Sequence, residues 1–424
     1  MKVRLLSTSD AYGGAARAAY RLQSAFQRAT LPDVQTVLQV ARKHTDDCSI
    51  QGPRSTLAKG WPYLKTATGA CLQRLQFTEN QIFHSTAWFP CYLDRSLNQC
   101  EEDLLHLHWV QEEMLSIEAI GRLRKPLVWT LHDTWAFCGS EHYPHDFNDT
   151  RYEQGYFRPN RPSTHRGFDL DRWCWQRKVK HWRRPIQLVS PSSWLADCAR
   201  RSVLFSSWPV SVIPNPLPTD IYQPWPKRLA RRIFGLPADT PLVLFGAIKG
   251  CHYPIKGWSL LEPALRLLAD EIPGLHAVVF GQSAPPSPLQ LGVPVRFVGR
   301  LYDDQSLAML YSAADVMVVP SLMEAFGQTA SEAQSCGTPV VAFNATGLMD
   351  VVEHKLSGYL AEPFSSRDLA NGIAWILCDP QRYERLSSEA RHRAIRLWSE
   401  DVVLNQYHRL YQEVLRQRFS YGLN

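Results

Sequence analysis

The sequence lacks several features that would assign it to familiar structural classes. Its ten cysteines include no C-x-x-C pair and are irregularly spaced, which argues against a zinc module and a disulfide framework. No apolar run approaches the length of a membrane span, and residues 1–6 are expected to form a strand rather than a signal-peptide core. We therefore expect reduced thiols and a cytoplasmic location.

Nucleic-acid binding is also disfavoured, because the net charge of +6 is modest for 424 residues and no recognised binding module occurs. There is no G-x-G-x-x-G fingerprint of a dinucleotide-binding loop and no internal repeat. The chain length and the 45% hydrophobic content instead predict two or three domains with full cores.

What the chain does contain is an alternation of short apolar runs with helical patterns. Strands are predicted at 3–6, 34–40, 104–108, 127–131 and 186–190, and again at 242–245, 277–280, 295–298, 316–319 and 340–342. Such alternation predicts parallel sheets with crossover helices in two α/β halves. Between the halves, the proline-rich segment 212–224 excludes helix and sheet interior, which predicts a hinge.

Segment 321–343 carries the most informative pattern. It follows an apolar strand and places Glu324 just before a predicted helix and Glu332 inside it, with Gly337 as the expected helix stop. Carboxylates accept hydrogen bonds from hydroxyls, and the first N–H groups of a helix attract anions. The pattern therefore suits a ligand that carries both hydroxyls and phosphates, such as a nucleotide sugar.

In this strand–loop–helix setting, the segment resembles the E-x7-E motif of retaining glycosyltransferases with the GT-B fold. Its sequence is similar to the form found in bacterial exopolysaccharide (colanic-acid-type) enzymes of family 4. The resemblance implies two Rossmann-like domains whose post-strand loops share a cleft, with C-terminal helices crossing back to the first domain. It also implies that Glu324 contacts sugar hydroxyls and that Glu332 contacts the ribose. The donor-binding candidates at the helix start are Phe326, Gly327, Gln328 and Thr329.

Gly13 and Gly14 follow the first predicted strand and open a helix. Without side chains, they allow close approach of substrate to the backbone, although a plain tight turn is an equal alternative. The resemblance places this loop beside the donor sugar and phosphates.

His132 follows the strand at 127–131, where a neutral imidazole can hydrogen-bond a sugar hydroxyl and Asp133 can fix its tautomer. A structural histidine is the alternative, and the resemblance favours the sugar contact. His108, Trp109, Asp133 and Trp135 are the acceptor-binding candidates, with core packing as the alternative for the strand end at 106–109. The cluster of His142, His145 and Asp146 matches no standard metal site, so we expect no metal and no cofactor.

The resemblance assigns Lys256, just before a helix in the second half, to the leaving diphosphate. Many relatives also carry an arginine in this loop, and Lys249 is the available substitute. Val298 and Arg300, at the end of a later strand, match the position where relatives line the base pocket, but they do not distinguish uracil from guanine.

The segment 172–184 combines Trp175, Val179 and Trp182 on one helical face with Arg and Lys on the remainder. One interpretation is a helix docked by its tryptophans with a solvated basic face. The other is an interfacial helix in peripheral contact with anionic membrane or a lipid-diphosphate acceptor.

The resemblance implies a retaining, metal-independent hexosyltransferase with Glu324, His132 and Lys256 as catalytic residues. It would move a hexose from a UDP- or GDP-linked donor to a saccharide or lipid-linked acceptor in cell-surface polysaccharide biosynthesis. The predicted acceptor domain is 1–213 with the C-terminal helix at about 399–424, and the predicted donor domain is 214–398. A GT-B nucleotide-sugar epimerase and a catalytically silent nucleotide-sugar-binding homologue are the alternatives.

Overall fold

The computed structural model describes residues 1–29, 33–146, 148–246, 251, 253–287 and 289–421. The chain forms two compact units, one containing Met1–Pro214 and the chain from Leu404 onward, the other containing Asn215–Val403. Each unit is an α/β fold built on its own parallel sheet.

The first unit contains a seven-stranded parallel sheet in the order β3-β2-β1-β5-β6-β8-β9 and a separate two-stranded ribbon of β4 and β7. Its strands are β1 (Lys2–Ser9), β2 (Gln35–Arg42), β3 (Ile50–Gln51), β4 (Gln76–Phe77), β5 (Leu104–Leu107), β6 (Leu127–Thr130), β7 (Arg166–Gly167), β8 (Gln187–Ser190) and β9 (Val210–Val212). Its helices up to this point are α1 (Gly14–Arg28), α2 (Thr56–Gln73), α3 (Leu93–Gln99), α4 (Ile117–Gly121), α5 (Arg151–Gln154), α6 (Leu170–His181) and α7 (Ser193–Arg201).

The second unit contains a six-stranded parallel sheet in the order β12-β11-β10-β13-β14-β15. Its strands are β10 (Leu242–Gly246), β11 (His276–Phe280), β12 (Val295–Gly299), β13 (Val316–Val319), β14 (Val340–Phe343) and β15 (Gly358–Ala361). Its helices are α8 (Lys227–Ile233), the 3₁₀ turn Pro254–Lys256, α9 (Trp258–Glu271), α10 (Asp304–Ala313), α11 (Gln328–Ser335), α12 (Leu348–Val351), α13 (Ser366–Leu377) and α14 (Pro380–Trp398).

The central strands are continuous apolar runs because helices cover both faces of each sheet. In β13 and β14 every residue is buried. Every strand predicted from such a run is present. The edge strands β3, β9 and β15 and the ribbon strands β4 and β7 were missed, because they are only two to four residues long and lack a continuous apolar run.

The last helix, α15 (Glu400–Tyr421), begins in the second unit and belongs to the first from Leu404. Its Tyr411 hydroxyl lies 2.7 Å from His106 Nδ1, and its Tyr407 hydroxyl lies 3.0 Å from Thr130 Oγ1, so it is anchored to β5 and β6. The expected return of the C-terminus to the first domain is confirmed for this one helix, whereas α14 stays in the second unit.

Candidate functional site

Two post-strand loops of the second unit are held side by side. Gly257 adopts φ 71°, and a Cβ there would lie 1.8 Å from the Pro320 carbonyl oxygen, so only glycine fits this approach. The Leu322 amide donates to the Ile255 carbonyl at 2.8 Å. The loop after β10 therefore meets the loop after β13 at the carboxyl edge of the sheet, where ligands of open α/β sheets bind.

Lys256 and Glu324 form an ion pair at this junction, with 2.5 Å between Nζ and Oε1. Ser321 Oγ donates to the same carboxylate oxygen at 3.2 Å. Both charged side chains keep some exposure, 24% for Lys256 and 16% for Glu324. The sequence predicted separate contacts to a ligand, and the structure adds that these two catalytic candidates lie against each other.

The backbone of Glu324 is fixed from the neighbouring loop after β14. Its amide donates to Thr346 Oγ1 at 3.2 Å, and its carbonyl accepts from the Gly347 amide at 2.9 Å. Thr346, which sequence reasoning missed, adopts φ 57°, an uncommon conformation for a threonine. Three loops therefore hold this glutamate in place.

Helix α11 begins directly after this segment with Gly327 as its N-cap. Gly327 adopts φ 96° and, as a glycine, supplies no capping side chain of its own to the first turn. Phe326 is buried and packs edge-on against Trp398 at a centroid distance of 6.0 Å. Its side chain is therefore a core group, and only its backbone remains a candidate for ligand contact.

Glu332 lies inside α11, as predicted, and is only 3% exposed. Its Oε2 accepts a hydrogen bond of 2.7 Å from the Tyr311 hydroxyl on α10. Sequence reasoning missed Tyr311 because no motif links it to the glutamate. The tyrosine satisfies one carboxylate oxygen and orients the group.

The remaining donor-side candidates are Val298, Arg300 and Lys249. Val298 is the last residue but one of β12 and packs against the apolar core, and the Arg300 guanidinium lies 5.1 Å from the Tyr302 ring centroid. Lys249 lies outside the described residues.

In the first unit, Gly13 is the N-cap of α1 with φ 91°, and a Cβ there would meet no atom within 4 Å. Helix α1 begins at Gly14 as predicted. The preceding Asp10, which sequence reasoning missed, is buried and accepts hydrogen bonds from the His44 and Thr45 amides at 2.9 and 3.1 Å. This carboxylate fixes the loop after β1.

His132 is hydrogen-bonded to His108, with 3.0 Å between His132 Nε2 and His108 Nδ1. Burial lowers the pKa of His132 to about 4 and that of His106 to about 3, and it also lowers the pKa of His108 well below its ordinary value. All three imidazoles are therefore neutral at pH 7. His108 is buried, so it contacts His132 rather than solvent.

Asp133 does not hydrogen-bond His132, and the expectation that it fixes the His132 tautomer is wrong. Its Oδ2 accepts from Trp109 Nε1 at 2.8 Å and from His142 Nδ1 at 2.6 Å, because the loop bearing His142 folds back onto it. Burial raises the pKa of Asp133, but the His142 charge and these hydrogen bonds outweigh it and lower the pKa overall. His108 is the group that restricts His132.

Trp135, predicted to contact the acceptor, has no exposed surface. Its Nε1 donates to the Ser85 carbonyl at 2.8 Å, and its ring packs against Trp129 and Trp182. The acceptor assignment of Trp135 is corrected to a core role. Among the described residues, no group of three His, Cys, Asp or Glu side chains could hold a metal ion.

The basic segment 172–184 is partly internal, although Lys180, Arg183 and Arg184 are exposed. Arg177 pairs with Glu118 at 2.7 Å, and Lys178 is fully buried, where Nζ donates to the carbonyls of Cys138 and Gly139 at 3.0 and 2.7 Å. Trp175 and Trp182 are buried as predicted, but Val179 is 44% exposed. The docked face therefore includes Lys178 in place of Val179, and neither Arg177 nor Lys178 is available to a membrane. No helix in the described part of the chain is long and apolar enough to cross one.

Comparison with known proteins agrees with this architecture. Residues 231–393, within the second unit, match the family described as glycosyl transferases group 1. The structure resembles Anabaena HepE, which was solved in complex with UDP-glucose, with a TM-score of 0.65 and 20% sequence identity. This match covers 97% of this chain and 100% of the HepE chain. It also resembles sucrose-phosphate synthase from Thermosynechococcus elongatus, with TM-score 0.64, 20% identity and coverage of 98% of this chain and 100% of that one. The predicted GT-B fold is confirmed, and the similarity to the group 1 family lies in the second unit.

Curated relatives include the D-inositol 3-phosphate glycosyltransferases of Thermobispora bispora, 39% identical over 208 residues, and Mycolicibacterium smegmatis, 32% identical over 214 residues. The matches cover 45% and 47% of this chain and 47% of each relative, so the chain spans about half the length of the curated relatives it matches. These relatives are named as D-inositol 3-phosphate glycosyltransferases and not as exopolysaccharide enzymes. The comparison therefore supports the resemblance to glycosyltransferases but not the more specific resemblance to exopolysaccharide enzymes.

Proposed function

We propose that this protein is a glycosyltransferase that uses a UDP-linked hexose as donor. The observation that carries the proposal is the Lys256–Glu324 pair beside the N-terminus of α11, with Glu332 buried in the same helix. A cation and helix N–H groups suit a diphosphate, and two carboxylates suit sugar and ribose hydroxyls. UDP-glucose in the HepE structure, a protein of the same fold, supports a uridine donor.

The proposed mechanism is retaining and metal-independent. Lys256 would stabilise the charge that grows on the departing diphosphate, a task otherwise assigned to a divalent ion. Glu324, fixed by three loops, would hold sugar hydroxyls, and the neutral His132 would accept or donate one further hydrogen bond. Because no side chain is required as a nucleophile, we favour front-face displacement in which a leaving phosphate oxygen takes the acceptor proton.

The proposed acceptor is a saccharide or lipid-linked saccharide of the cell surface, and the enzyme would act as a peripheral membrane protein. Of the acceptor candidates, Trp109 keeps partial exposure, whereas His108, Asp133 and Trp135 are buried. Direct acceptor contact is therefore proposed for Trp109, with Asp133 orienting its indole through the 2.8 Å hydrogen bond.

The test is product analysis by NMR with UDP-glucose, with and without acceptors, in the presence of a chelator. We expect slow release of UDP alone and transfer to a saccharide acceptor with the α configuration retained. Conversion of the donor to another sugar nucleotide without acceptor would establish the epimerase alternative, and UDP binding without turnover would establish the silent homologue. Transfer to D-inositol 3-phosphate would redirect the acceptor assignment.

A further inference from the structure

Helix α2 is attached to the first unit by a narrow face. Pro62 and Gly69 are its buried residues, and a Cβ at Gly69 would lie 2.7 Å from Glu113 Oε1. Lys65 Nζ donates to the Glu113 carbonyl at 2.6 Å on the same side. Pro62, Gly69 and the Lys65 hydrogen bond therefore dock this helix, and the half-exposed Trp61 packs edge-on against Phe89 at a centroid distance of 5.7 Å.

The opposite face of α2 is apolar and exposed. Leu57, Trp61 and Leu64 recur at helical spacing with exposed fractions of 90%, 50% and 56%. Ala67 and Cys71 continue the stripe one and two turns later and are also exposed. An amphipathic helix normally buries such a stripe, so this orientation is the reverse of a surface helix in a globular protein.

The charges around the stripe are of one sign. Helix α2 contains Lys59 and Lys65 and no Asp or Glu, and the exposed Arg54 and Arg74 flank its two ends. Pairing of two copies through this face would bring like charges together. An anionic surface, in contrast, would satisfy both the apolar stripe and the cations.

We propose that the exposed face of α2 binds an anionic lipid bilayer, with Leu57, Trp61 and Leu64 inserted at the level of the headgroups. Apolar side chains flanked by Lys and Arg are the composition of a helix that lies in the membrane interface. Trp61 suits this depth because its indole has both an apolar ring and an N–H donor. The proposal does not depend on the proposed sugar transfer.

The experiment is co-sedimentation of the full chain with vesicles of equal parts phosphatidylglycerol and phosphatidylcholine at low salt. The triple variant Leu57→Ser, Trp61→Ser and Leu64→Ser should lose at least about tenfold in vesicle affinity, since each removed side chain forfeits its apolar insertion. Replacing Arg54, Lys59 and Arg74 with Gln should lose about fivefold per charge, and high salt should abolish the difference. Pure phosphatidylcholine should bind the parent protein more weakly.

Two matched controls keep the proposal falsifiable. The variant Lys180→Gln, Arg183→Gln and Arg184→Gln, which removes exposed cations at and just beyond the end of α6, should leave vesicle binding unchanged. The variant Val203→Ser, Ile233→Ser and Ile395→Ser, which changes exposed apolar positions elsewhere, should do the same. Absence of binding by the parent protein, or equal losses in the α6 variant, would overturn the assignment. So would a concentration-dependent dimer, seen by sedimentation velocity without lipid, that the α2 variant abolishes.

Discussion

The two units treat their ionisable residues in opposite ways. In the second unit, Lys256 and Glu324 keep partial exposure and are held by loops at the sheet edge. In the first unit, His108 and Asp133 follow β5 and β6 and Lys178 lies on α6, and all three are buried and hydrogen-bonded within the unit. Accessible charged groups such as Lys256 and Glu324 can act on a ligand, whereas a buried and hydrogen-bonded group such as Lys178 mainly stabilises the fold. We therefore expect the charge chemistry in the second unit, where the buried Glu332 is the exception to this rule.

The largest effect on folding is expected at Lys178. Lys178→Met should lower the free energy of unfolding by about 3 kcal/mol or more, because the carbonyls of Cys138 and Gly139 would lose their buried donor. Urea unfolding is the measurement, and Lys180→Met, an exposed position on the same helix, is the control. A Lys178→Met protein as stable as its parent would show that this buried cation does not stabilise the fold. The proposed stabilising role of buried charges in the first unit would then be wrong for Lys178.

The largest effect on turnover is expected at Lys256. Lys256→Ala should raise the activation free energy by roughly 3 kcal/mol and so reduce kcat about a hundredfold. It should raise the donor dissociation constant by a smaller factor, because negative charge on the diphosphate grows in the transition state. Lys249→Ala should be milder, and Arg228→Ala, which removes an exposed cation of the same unit, should have no effect. Steady-state kinetics beside donor titration decide this. A near-parental kcat in Lys256→Ala would refute the role, and a larger loss at Lys249 would exchange the two lysines.

The two glutamates should separate in their effects. Glu332→Ala should weaken binding of UDP, whereas Glu324→Ala should mainly lower kcat, each by about 1.5–3 kcal/mol for a lost charge-assisted hydrogen bond. Tyr311→Phe keeps the carboxylate but removes its 2.7 Å hydrogen bond, and should give a smaller loss in UDP affinity than Glu332→Ala. Titration of UDP is decisive because it lacks the sugar. Equal losses in both glutamate variants would exclude separate roles.

Acid should destabilise the first unit through its histidines. His106 and His132 have pKa values of about 3 and about 4 in the folded protein, and His108 titrates well below its ordinary value. A histidine in the unfolded chain titrates near about 6.5. Between about pH 6.5 and 4, the unfolded chain therefore binds protons at these histidines that the folded protein does not bind. Stability is therefore fully present above about pH 7 and falls on acidification, by up to about 1.4 kcal/mol per pH unit for each group.

Unfolding by urea across this pH range tests the expectation. His108→Gln should reduce the pH slope by the contribution of one group, and His276→Gln, in the second unit, serves as the comparison. A slope unchanged by His108→Gln would mean that the pKa of this histidine is the same in the folded and unfolded states, contrary to the expected lowering.

The comparison also shows what sequence patterns can predict. The sheet strands were predicted because buried parallel strands are continuous apolar runs. The Glu324–Glu332 segment was predicted because its chemistry is local, with strand, loop and helix start in one stretch of chain. The close approach of the Pro320 carbonyl explains why residue 257 is a glycine.

Where the outcome depended on tertiary contacts, the predictions failed. The helical pattern of α6 treats Lys178 as solvated, and only the fold of the 135–139 loop provides the carbonyls that bury it. Asp133 adjoins His132 in sequence, yet the chain returns His142 to it from nine positions later. In α2, for which no prediction was made, the apolar stripe is exposed although its pattern alone would indicate burial. Partners distant in sequence decide each of these cases.

The central claim is that the nucleotide diphosphate is bound by the second unit alone, through the loop bearing Lys256 and the helix bearing Glu332. Calorimetric titration of UDP into the parent protein, Lys256→Ala and His132→Ala tests it most directly. The account predicts that Lys256→Ala lowers the affinity for UDP by about tenfold or more, as expected for a lost charge-assisted hydrogen bond. It also predicts that His132→Ala leaves this affinity unchanged. Unchanged affinity in Lys256→Ala together with a loss in His132→Ala would contradict it.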